Sequence, residues 1–360
     1  MKILSIIDSF KGTLSSLEIS HIVKEELEKK GAEVTCIPIS DGGEGFLEAY
    51  NYINNLDKIS VKTVDAFGRP IDAYYLFDNE KKLAVIELAL ESGITLIKKT
   101  ELNPFKANTY GLGLVIKEAI NNGAKNILIG IGGSASNDGG SGMLEALGVK
   151  FYDKDNNLIT GLCNEKLSLI DHIDKKDFQK FISKVRFDVC SDVTNPLLGP
   201  NGATYVFSIQ KGAKTSDLSI LEANMEHFSE FLEGATIKGS GAAGGVGYAL
   251  RAYFNSFFHS GIAYLLDQIH FKSIIREYDY IITGEGKLDK QSLTGKVISE
   301  VIRLSTSKRV LLLCAINELN ESLGTNVRIV SIVGENYTKE ESLKDPVGTL
   351  RNTLKRVILG

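Results

Sequence analysis

The sequence lacks several features that mark particular classes of protein, and each absence narrows its function. Its four cysteines include no CxxC pair and its five histidines have no metal-ligand spacing, so we expect free thiols and no zinc site. It has no basic tail or stripe, and its formal net charge is -4, which argues against a nucleic-acid partner. No apolar run approaches membrane-spanning length, and Asp8 interrupts the short one at the start. We therefore expect a soluble, cytoplasmic protein that binds neither nucleic acid nor a membrane.

Strand and helix patterns alternate at both ends of the chain, which is typical of a parallel sheet. An apolar strand at 2–7 precedes a helix that opens at Ser15, where Glu18 completes a capping box. A second strand follows at 34–40. The strands predicted for the C-terminal part are 279–283, 309–316 and 327–333.

The middle of the chain has a different pattern. Three short strands, at 59–64, 71–77 and 83–88, are separated by turn residues and predict an antiparallel meander. Residues 151–180 are polar and weakly patterned, which predicts a turn-rich excursion with a short helix, and residues 204–208 are predicted as a strand.

The 360 residues are enough for two domains. We predict an α/β protein in which a discontinuous parallel-sheet domain, residues 1–64 plus 278–360, is interrupted by a mixed α/β domain at 65–277.

A loop rich in glycine, serine and asparagine follows the apolar run that begins at Ile127 and precedes a helical pattern. Strand, glycine loop and helix is an arrangement that directs backbone N–H groups toward an anion. Phosphate could approach Gly132 and Gly133 closely, and Ser134 and Asn137 could donate hydrogen bonds to it. The loop also carries Asp138, whose carboxylate could hold a cation. The alternative is a tight strand-to-helix turn without a ligand.

Four predicted strands end at an acid beside a polar or glycine-rich turn. These acids are Asp8, Asp41, Asp192 and Glu285. Ligands of open α/β sheets bind beyond such strand ends, although a single acid there could equally be a helix cap. Glycine loops together with acids suited to Mg²⁺ favour phosphoryl transfer. The cations available in loops are Lys11, Arg69, Lys287 and Lys296, and there is no Walker A motif or protein-kinase motif.

Two other functions are open from these residues alone. Residues 239–244 spell GxGxxG, which would suit an NAD-dependent oxidoreductase, but a helix and a polar loop precede them instead of a buried strand. A metabolite-binding sensor could use the same loops without turnover, although clustered carboxylates suit an anion binder poorly.

Six long motifs in order resemble the bacterial glycerate kinase type I family, and they extend over nearly the whole chain. They are DSFKGTLSS (8–16), PISDGGEGF (38–46), GIGGSASNDGGSGMLEALG (130–148), CSDVTNPLLGPNGA (190–203), GSGAAGGVGYAL (239–250) and ITGEGKLDKQSLTGK (282–296).

This resemblance implies ATP-dependent phosphorylation of D-glycerate, with the 2-hydroxyl group favoured and 2-phosphoglycerate as product. It also implies Mg²⁺ and a two-domain architecture with a flavodoxin-like parallel-sheet domain and a second mixed α/β domain. The family usually has arginine where Lys287 stands. The lysine keeps the positive charge but cannot form the bidentate hydrogen bonds of arginine.

Roles can be assigned to individual residues on this basis. Lys11, ahead of Arg69, is expected to bind the glycerate carboxylate together with Asp8, and Asp192 is our choice of proton acceptor, with Asp41 as its competitor. The candidate metal ligands are Asp138, Glu285 and Asp41. The residues assigned to phosphate or nucleotide are Gly132, Gly133, Ser134, Asn137, Gln291, Ser292 and Lys296. A monomer or a homodimer is expected.

Overall fold

The structure is a computed structural model, and it describes residues 1–231, 233–254, 256–293, 297–319, 322–334 and 336–357. The strands are β1 (Lys2–Ile7), β2 (Glu33–Cys36), β3 (Asp57–Val64), β4 (Pro70–Asp78), β5 (Leu83–Glu87), β6 (Asn126–Gly130), β7 (Lys150–Tyr152), β8 (Leu158–Ile159), β9 (His172–Asp174), β10 (Arg186–Cys190), β11 (Phe257–His259), β12 (Tyr280–Leu288), β13 (Arg309–Asn317) and β14 (Val327–Ser331). The α-helices are α1 (Ser16–Glu28), α2 (Phe46–Asn54), α3 (Ala89–Ser92), α4 (Tyr110–Asn121), α5 (Ser141–Ala146), α6 (Asn164–Leu167), α7 (Lys176–Ile182), α8 (Ala203–Phe207), α9 (Leu218–Ser229), α10 (Val246–Phe254), α11 (Gly261–Gln268), α12 (Phe271–Ile274), α13 (Val297–Leu304), α14 (Lys339–Lys344) and α15 (Pro346–Arg356).

The chain packs as two compact units. Unit 1 comprises Met1–Asp41, Glu48–Asn55 and Ser260–Gly360, and unit 2 comprises Gly42–Leu47 and Leu56–His259. The predicted boundary at residue 64 lies at the end of β3, which pairs with β4 along its whole length within unit 2. The division into a discontinuous domain and an inserted domain stays a prediction.

Unit 1 contains a five-stranded parallel sheet in the order β14-β13-β12-β1-β2. Numbered by their order within the unit, the strands run 2-1-3-4-5, which is the flavodoxin-like arrangement. Buried apolar residues of α1 and α15 pack on one face, and those of α13 pack on the other. The predicted α/β class with a flavodoxin-like sheet is confirmed.

The helix predicted to open at Ser15 does so. The Ser15 hydroxyl oxygen accepts the backbone N–H of Glu18 at 3.2 Å, and the Glu18 carboxylate accepts the backbone N–H of Ser15 at 2.8 Å. Because Ser15 caps α1, Asp8 is left for another role, and its Oδ1 accepts the backbone N–H of Ser9 at 2.7 Å.

Unit 2 contains a six-stranded sheet in the order β11-β10-β6-β5-β4-β3. The first four strands are parallel, and β3, β4 and β5 pair antiparallel, as the predicted meander requires. The main hydrophobic core covers this sheet and includes buried residues of α4, α5 and α10. The parallel strands therefore bring their carboxyl ends to one edge of the unit.

Several local predictions are wrong. The strand predicted at 34–40 is β2 and ends at Cys36, so Asp41 does not directly follow a strand. Residues 204–208, predicted as a strand, fall in helix α8 and its C-cap, because a short apolar run carries no period that separates a strand from a helix. Residues 151–180, predicted as turns with a short helix, contain the antiparallel sheet β8-β7-β9 as well as helices α6 and α7. These strands have two or three residues each, too few for the alternation of polar and apolar residues to be visible.

Among the described residues, no helix combines the length and apolarity that crossing a bilayer requires.

Backbone segments in unit 2 approach one another too closely for side chains. A Cβ atom built on Gly42 would lie 2.7 Å from the carbonyl oxygen of Cys190, and one on Gly244 would lie 2.1 Å from that of Ser136. Gly244 also has a φ of +65°, in the left-handed region. The segment 239–245 therefore packs main chain to main chain on the loop that follows β6.

Gly244→Ala is expected to lower the free energy of unfolding by about 3 kcal/mol or more, because the Ser136 carbonyl must move in addition to the backbone strain. Gly68→Ala is the matched control, since Gly68 has a φ of +78° with nothing near its added Cβ. It should cost about 1 kcal/mol. Urea unfolding measures both, and equal losses would show that the close approach costs nothing.

Candidate active site

Three acids and a lysine gather at the carboxyl end of the unit 1 sheet. Ile7, the last residue of β1, pairs with Gly284, and the backbone N–H of Asp8 donates to the Gly284 carbonyl at 2.9 Å. Asp8 therefore follows β1 beside Glu285, at the point where the strand order reverses between β1 and β12. That reversal is where open α/β sheets bind their ligands. The prediction that this strand ends before Glu285 is wrong. β12 continues to Leu288, because it pairs with β13 as far as that residue.

Lys11 and Asp41 form the ion pair of this cluster. Lys11 Nζ lies 3.0 Å from Asp41 Oδ2, and the carboxylate raises the pKa of the lysine. Burial, followed by the charge of Asp41, raises the pKa of Asp8 to about 8, against the opposing effect of Lys11. The Glu285 carboxylate adds to both shifts. The structure thus brings together Asp8, Lys11, Asp41 and Glu285, and it keeps a proton on Asp8 near neutral pH.

The glycine loop of unit 2 follows β6; its Gly133 is exposed and its Gly132 half-buried, whereas the part from Ser134 onward is buried. Ser136, Asn137 and Asp138 are fully buried, and Ser134 is 6% exposed. The backbone N–H of Gly132 donates to the Gly42 carbonyl at 2.9 Å, so the loop is tied to the DGGEG segment. A Cβ on Gly132 would also lie 2.5 Å from the Cα of Gly43, whereas Gly133 has a φ of +76° and more room.

Asp138 accepts hydrogen bonds from four protein donors. Its Oδ2 accepts the backbone N–H of Thr109 at 2.9 Å, the Thr109 hydroxyl at 2.7 Å and the backbone N–H of Gly142 at 3.1 Å. Its Oδ1 accepts the backbone N–H of Gly140 at 3.2 Å. Burial raises its pKa, and these bonds partly offset that effect. The carboxyl group therefore links the start of α5 to Thr109 through hydrogen bonds. These bonds occupy oxygen lone pairs that the predicted metal ion would need.

Asp192 lies at the strand end next to the glycine loop. Cys190, the last residue of β10, pairs with Gly130, the last residue of β6, and the backbone N–H of Ile131 donates to the Cys190 carbonyl at 3.2 Å. Asp192 and Gly132 each follow two residues later on neighbouring strands. Asp192 is half-buried.

Two site residues in unit 2 were missed by the sequence analysis. Glu87 ends β5, and its carboxylate accepts the backbone N–H groups of Gly45 and Leu47 at 3.1 and 2.9 Å. Lys211 is 3% exposed, and burial lowers its pKa to about 7. Neither lies in a glycine-rich motif that would have drawn attention to it, although a lysine directly before Gly212 is a weak signal.

The remaining predicted residues lie outside these two clusters. Arg69 is on the β3–β4 turn, where its guanidinium donates to Asp65 at 2.6 Å and to Glu101 at 2.9 Å. Ser292 is buried in the turn after β12, and its hydroxyl accepts the backbone N–H of Asp289 at 2.9 Å. The Gln291 backbone belongs to the short 3₁₀ helix Lys290–Leu293, whereas its side chain and all of Lys296 lie outside the described residues.

The GxGxxG segment does not have the setting of a dinucleotide site. It leads through a 3₁₀ turn at Ala242–Gly245 into α10, and no strand precedes it in the described part of unit 2 after β10. The backbone N–H of Gly139 donates to the Gly244 carbonyl at 2.9 Å. These glycines therefore support the loop that follows β6.

Comparison with known proteins gives consistent results. A model of the glycerate kinase family matches residues 3–359. Glycerate kinase of Bacillus subtilis (strain 168) is 37% identical over 315 residues, 85% of this chain and 82% of the relative. Glycerate 2-kinase of Escherichia coli (strain K12) is 35% identical, over 82% of this chain and 80% of the relative. The crystal structure of a candidate glycerate kinase 2 from Salmonella typhimurium LT2 has a TM-score of 0.76 at 32% identity, over 99% of this chain and 96% of that one.

These matches define the chain as a small-molecule kinase, an enzyme rather than a binding sensor or an oxidoreductase. It belongs to the glycerate kinase family.

Asp8→Asn is expected to stabilise the protein increasingly as pH rises. The folded state keeps the Asp8 proton to about pH 8, whereas the unfolded state releases it near 3.8, so this group costs stability progressively between these values. Without divalent cations, Tm of the variant should match the wild type at pH 4 and exceed it at pH 8.5, by roughly 2–4 °C per kcal/mol recovered.

Asp267→Asn, at an exposed carboxyl group of α11, is the control and should leave the pH dependence of Tm unchanged. A difference between Asp8→Asn and wild type that stays constant from pH 4 to 8.5 would contradict the assignment of a retained proton to Asp8.

Proposed function

We propose that this chain is an ATP-dependent glycerate kinase that transfers the γ-phosphoryl group of Mg-ATP to the 2-hydroxyl group of D-glycerate. The observation that carries the proposal is the family match over residues 3–359. The relatives within that family include proteins named glycerate kinase and glycerate 2-kinase. The products would be ADP and 2-phosphoglycerate.

The strand ends of unit 2 support the phosphoryl-transfer step. The exposed backbone of Gly133 and the Ser134 hydroxyl are proposed to bind phosphate oxygens, since Gly133 allows close approach. Gly132, whose backbone N–H donates to the Gly42 carbonyl, and the fully buried Asn137 are proposed to hold the loop in place behind them. Asp192 follows the neighbouring strand and is partly accessible, which suits a group that accepts the proton of the glycerate hydroxyl. As the hydroxyl oxygen bonds to the γ-phosphorus, the bond to the ADP oxygen breaks and the hydroxyl proton passes to Asp192.

The cluster of unit 1 supports charge neutralisation. Lys11 is a cation suited to a carboxylate or a phosphate, and a protonated Asp8 can donate a hydrogen bond to the carboxylate of glycerate. Arg69 already contacts two acids, so we propose that it stabilises its turn and that Lys11 has the binding role. Asp41 remains the competitor of Asp192 as proton acceptor.

Mg²⁺ fits the donors of unit 1, because Asp41 and Glu285 offer only carboxylate oxygens. Within the described ranges no three His, Cys, Asp or Glu residues are arranged to hold a metal by themselves. This is consistent with a cation that takes most of its ligands from phosphate and water. Bound there, Mg²⁺ would neutralise charge on the phosphate oxygens. Asp138, with its four protein donors, is proposed to shape the glycine loop instead.

The purified protein is expected to convert D-glycerate and Mg-ATP to ADP and 2-phosphoglycerate, and an excess of EDTA should abolish turnover. Enolase added without a mutase reports 2-phosphoglycerate directly, as phosphoenolpyruvate absorbance. ADP release that depends on D-glycerate and gives an enolase signal only after a phosphoglycerate mutase is added would mean transfer to the 3-hydroxyl group. No glycerate-dependent ADP release would contradict the proposed function.

Asp192→Asn is expected to lower kcat by about 100-fold or more with little change in KM, because the variant keeps the shape of the side chain but cannot take the proton. Asp155→Asn, at an exposed loop carboxyl group of the same unit, is the control and should keep wild-type kcat. If Asp41→Asn shows this loss while Asp192→Asn stays active, Asp41 is the proton acceptor.

A further inference from the structure

A buried lysine stands directly behind the glycine loop of unit 2. Lys211 lies in the turn after α8, where its backbone N–H donates to the Ser208 carbonyl at 3.0 Å. Its ammonium group donates to Ser134 Oγ at 2.8 Å and to the Ser136 carbonyl at 2.6 Å. A segment remote in sequence thus contributes a positive charge to this loop.

The direction of these hydrogen bonds decides what Ser134 can do. In its charged form, which a phosphate bound nearby would favour, the Lys211 side chain has three donors and no acceptor, so the Ser134 oxygen then accepts from it. The single hydroxyl proton of Ser134 then has to point elsewhere, and no acceptor for it lies among the protein groups that the structure describes. Ser134 is 6% exposed, whereas Lys211 is 3% exposed and further enclosed. The serine is therefore left as a hydrogen-bond donor at the edge of the loop.

The surroundings of the Lys211 ammonium group also favour the binding of an anion. Its two acceptors are a hydroxyl and a carbonyl, both uncharged, so its burial is only partly compensated. Asp138 is the charged group that acts on it, and the Asp138 carboxylate is itself occupied by four donors. Ser136 Oγ, next to the carbonyl that Lys211 contacts, is buried with no hydrogen-bond partner among the described residues. This corner of the loop therefore has positive charge and hydroxyl groups that a negatively charged oxygen would complete.

We propose that Lys211 is a positioning residue of the phosphate site: it fixes Ser134 as a donor to an oxygen of the nucleotide phosphates. The inference rests on the proposed function, because it assumes that this loop binds the phosphates of ATP. Lys211 acts through Ser134 and the Ser136 carbonyl without contacting the phosphate itself.

The test compares Lys211→Met, Ser134→Ala and the double variant in the full-length protein. Binding of the magnesium complex of a non-hydrolysable ATP analogue, adenylyl imidodiphosphate, is measured by calorimetry, and KM for ATP and for D-glycerate by turnover. Lys211→Met should raise Kd and KM for the nucleotide by about 10- to 100-fold, the range of a lost charge-assisted hydrogen bond, and leave KM for glycerate within about threefold. Lys214→Met, at an exposed lysine three residues further on, is the matched control and should behave as wild type.

The double variant separates a positioning role from a structural one. If Lys211 acts through Ser134, adding Lys211→Met to Ser134→Ala should weaken nucleotide binding by less than about threefold more. Full additivity, or a Lys211→Met variant with wild-type Kd, would overturn the proposal. If Lys211→Met does not fold, Ser134→Ala decides, because wild-type nucleotide affinity in that variant also overturns it. A wild-type protein that binds the analogue but does not phosphorylate glycerate would refute the proposed function. The Kd values of the variants for the analogue would then decide this inference separately.

Discussion

Contact between backbone segments, without side chains between them, is the constraint on which unit 2 depends. The segment after Asp41 meets the end of β10 where Gly42 lies against Cys190, and the segment before α10 meets the loop after β6 where Gly244 lies against Ser136. At both places a Cβ atom on the glycine would meet a carbonyl oxygen. Packing of this kind leaves the main chain little freedom, because no flexible side chain can absorb a displacement. The shape of the loop that carries Ser134 is therefore set by remote parts of the chain.

The two units have clusters of opposite character. Acids dominate the strand ends of unit 1, where Asp8, Asp41 and Glu285 surround one lysine, so this cluster favours cations and holds a proton. Hydroxyl groups, backbone N–H groups and Lys211 dominate the glycine loop of unit 2, which favours an anion. Phosphoryl transfer needs both kinds of environment, since the reaction moves a highly charged group and also releases a proton.

The sequence was most informative where one local pattern decides the outcome. The alternation of strands and helices identified the parallel sheet of unit 1, and the pair Ser15 and Glu18 located the start of α1. The sequence failed where the deciding contact is remote. Lys211 contacts Ser134, which lies 77 residues away in the sequence. The sequence pattern around Asp138, an acid in a glycine loop, is the same whether the carboxylate binds a metal or backbone N–H groups. Helix α8 was missed because packing, not periodicity, selects its conformation.

The order of strands in unit 1 has a consequence for protein synthesis. β1 lies between β2 and β12, and Ile3, Leu4, Ile6 and Ile7 are fully buried there. On the ribosome, β1 leaves the exit tunnel more than 270 residues before β12 does. Pairings this distant in sequence form slowly and leave apolar strands open to aggregation. Until β12 is synthesised, β1 therefore has one unpaired edge at which chaperones could bind the nascent chain.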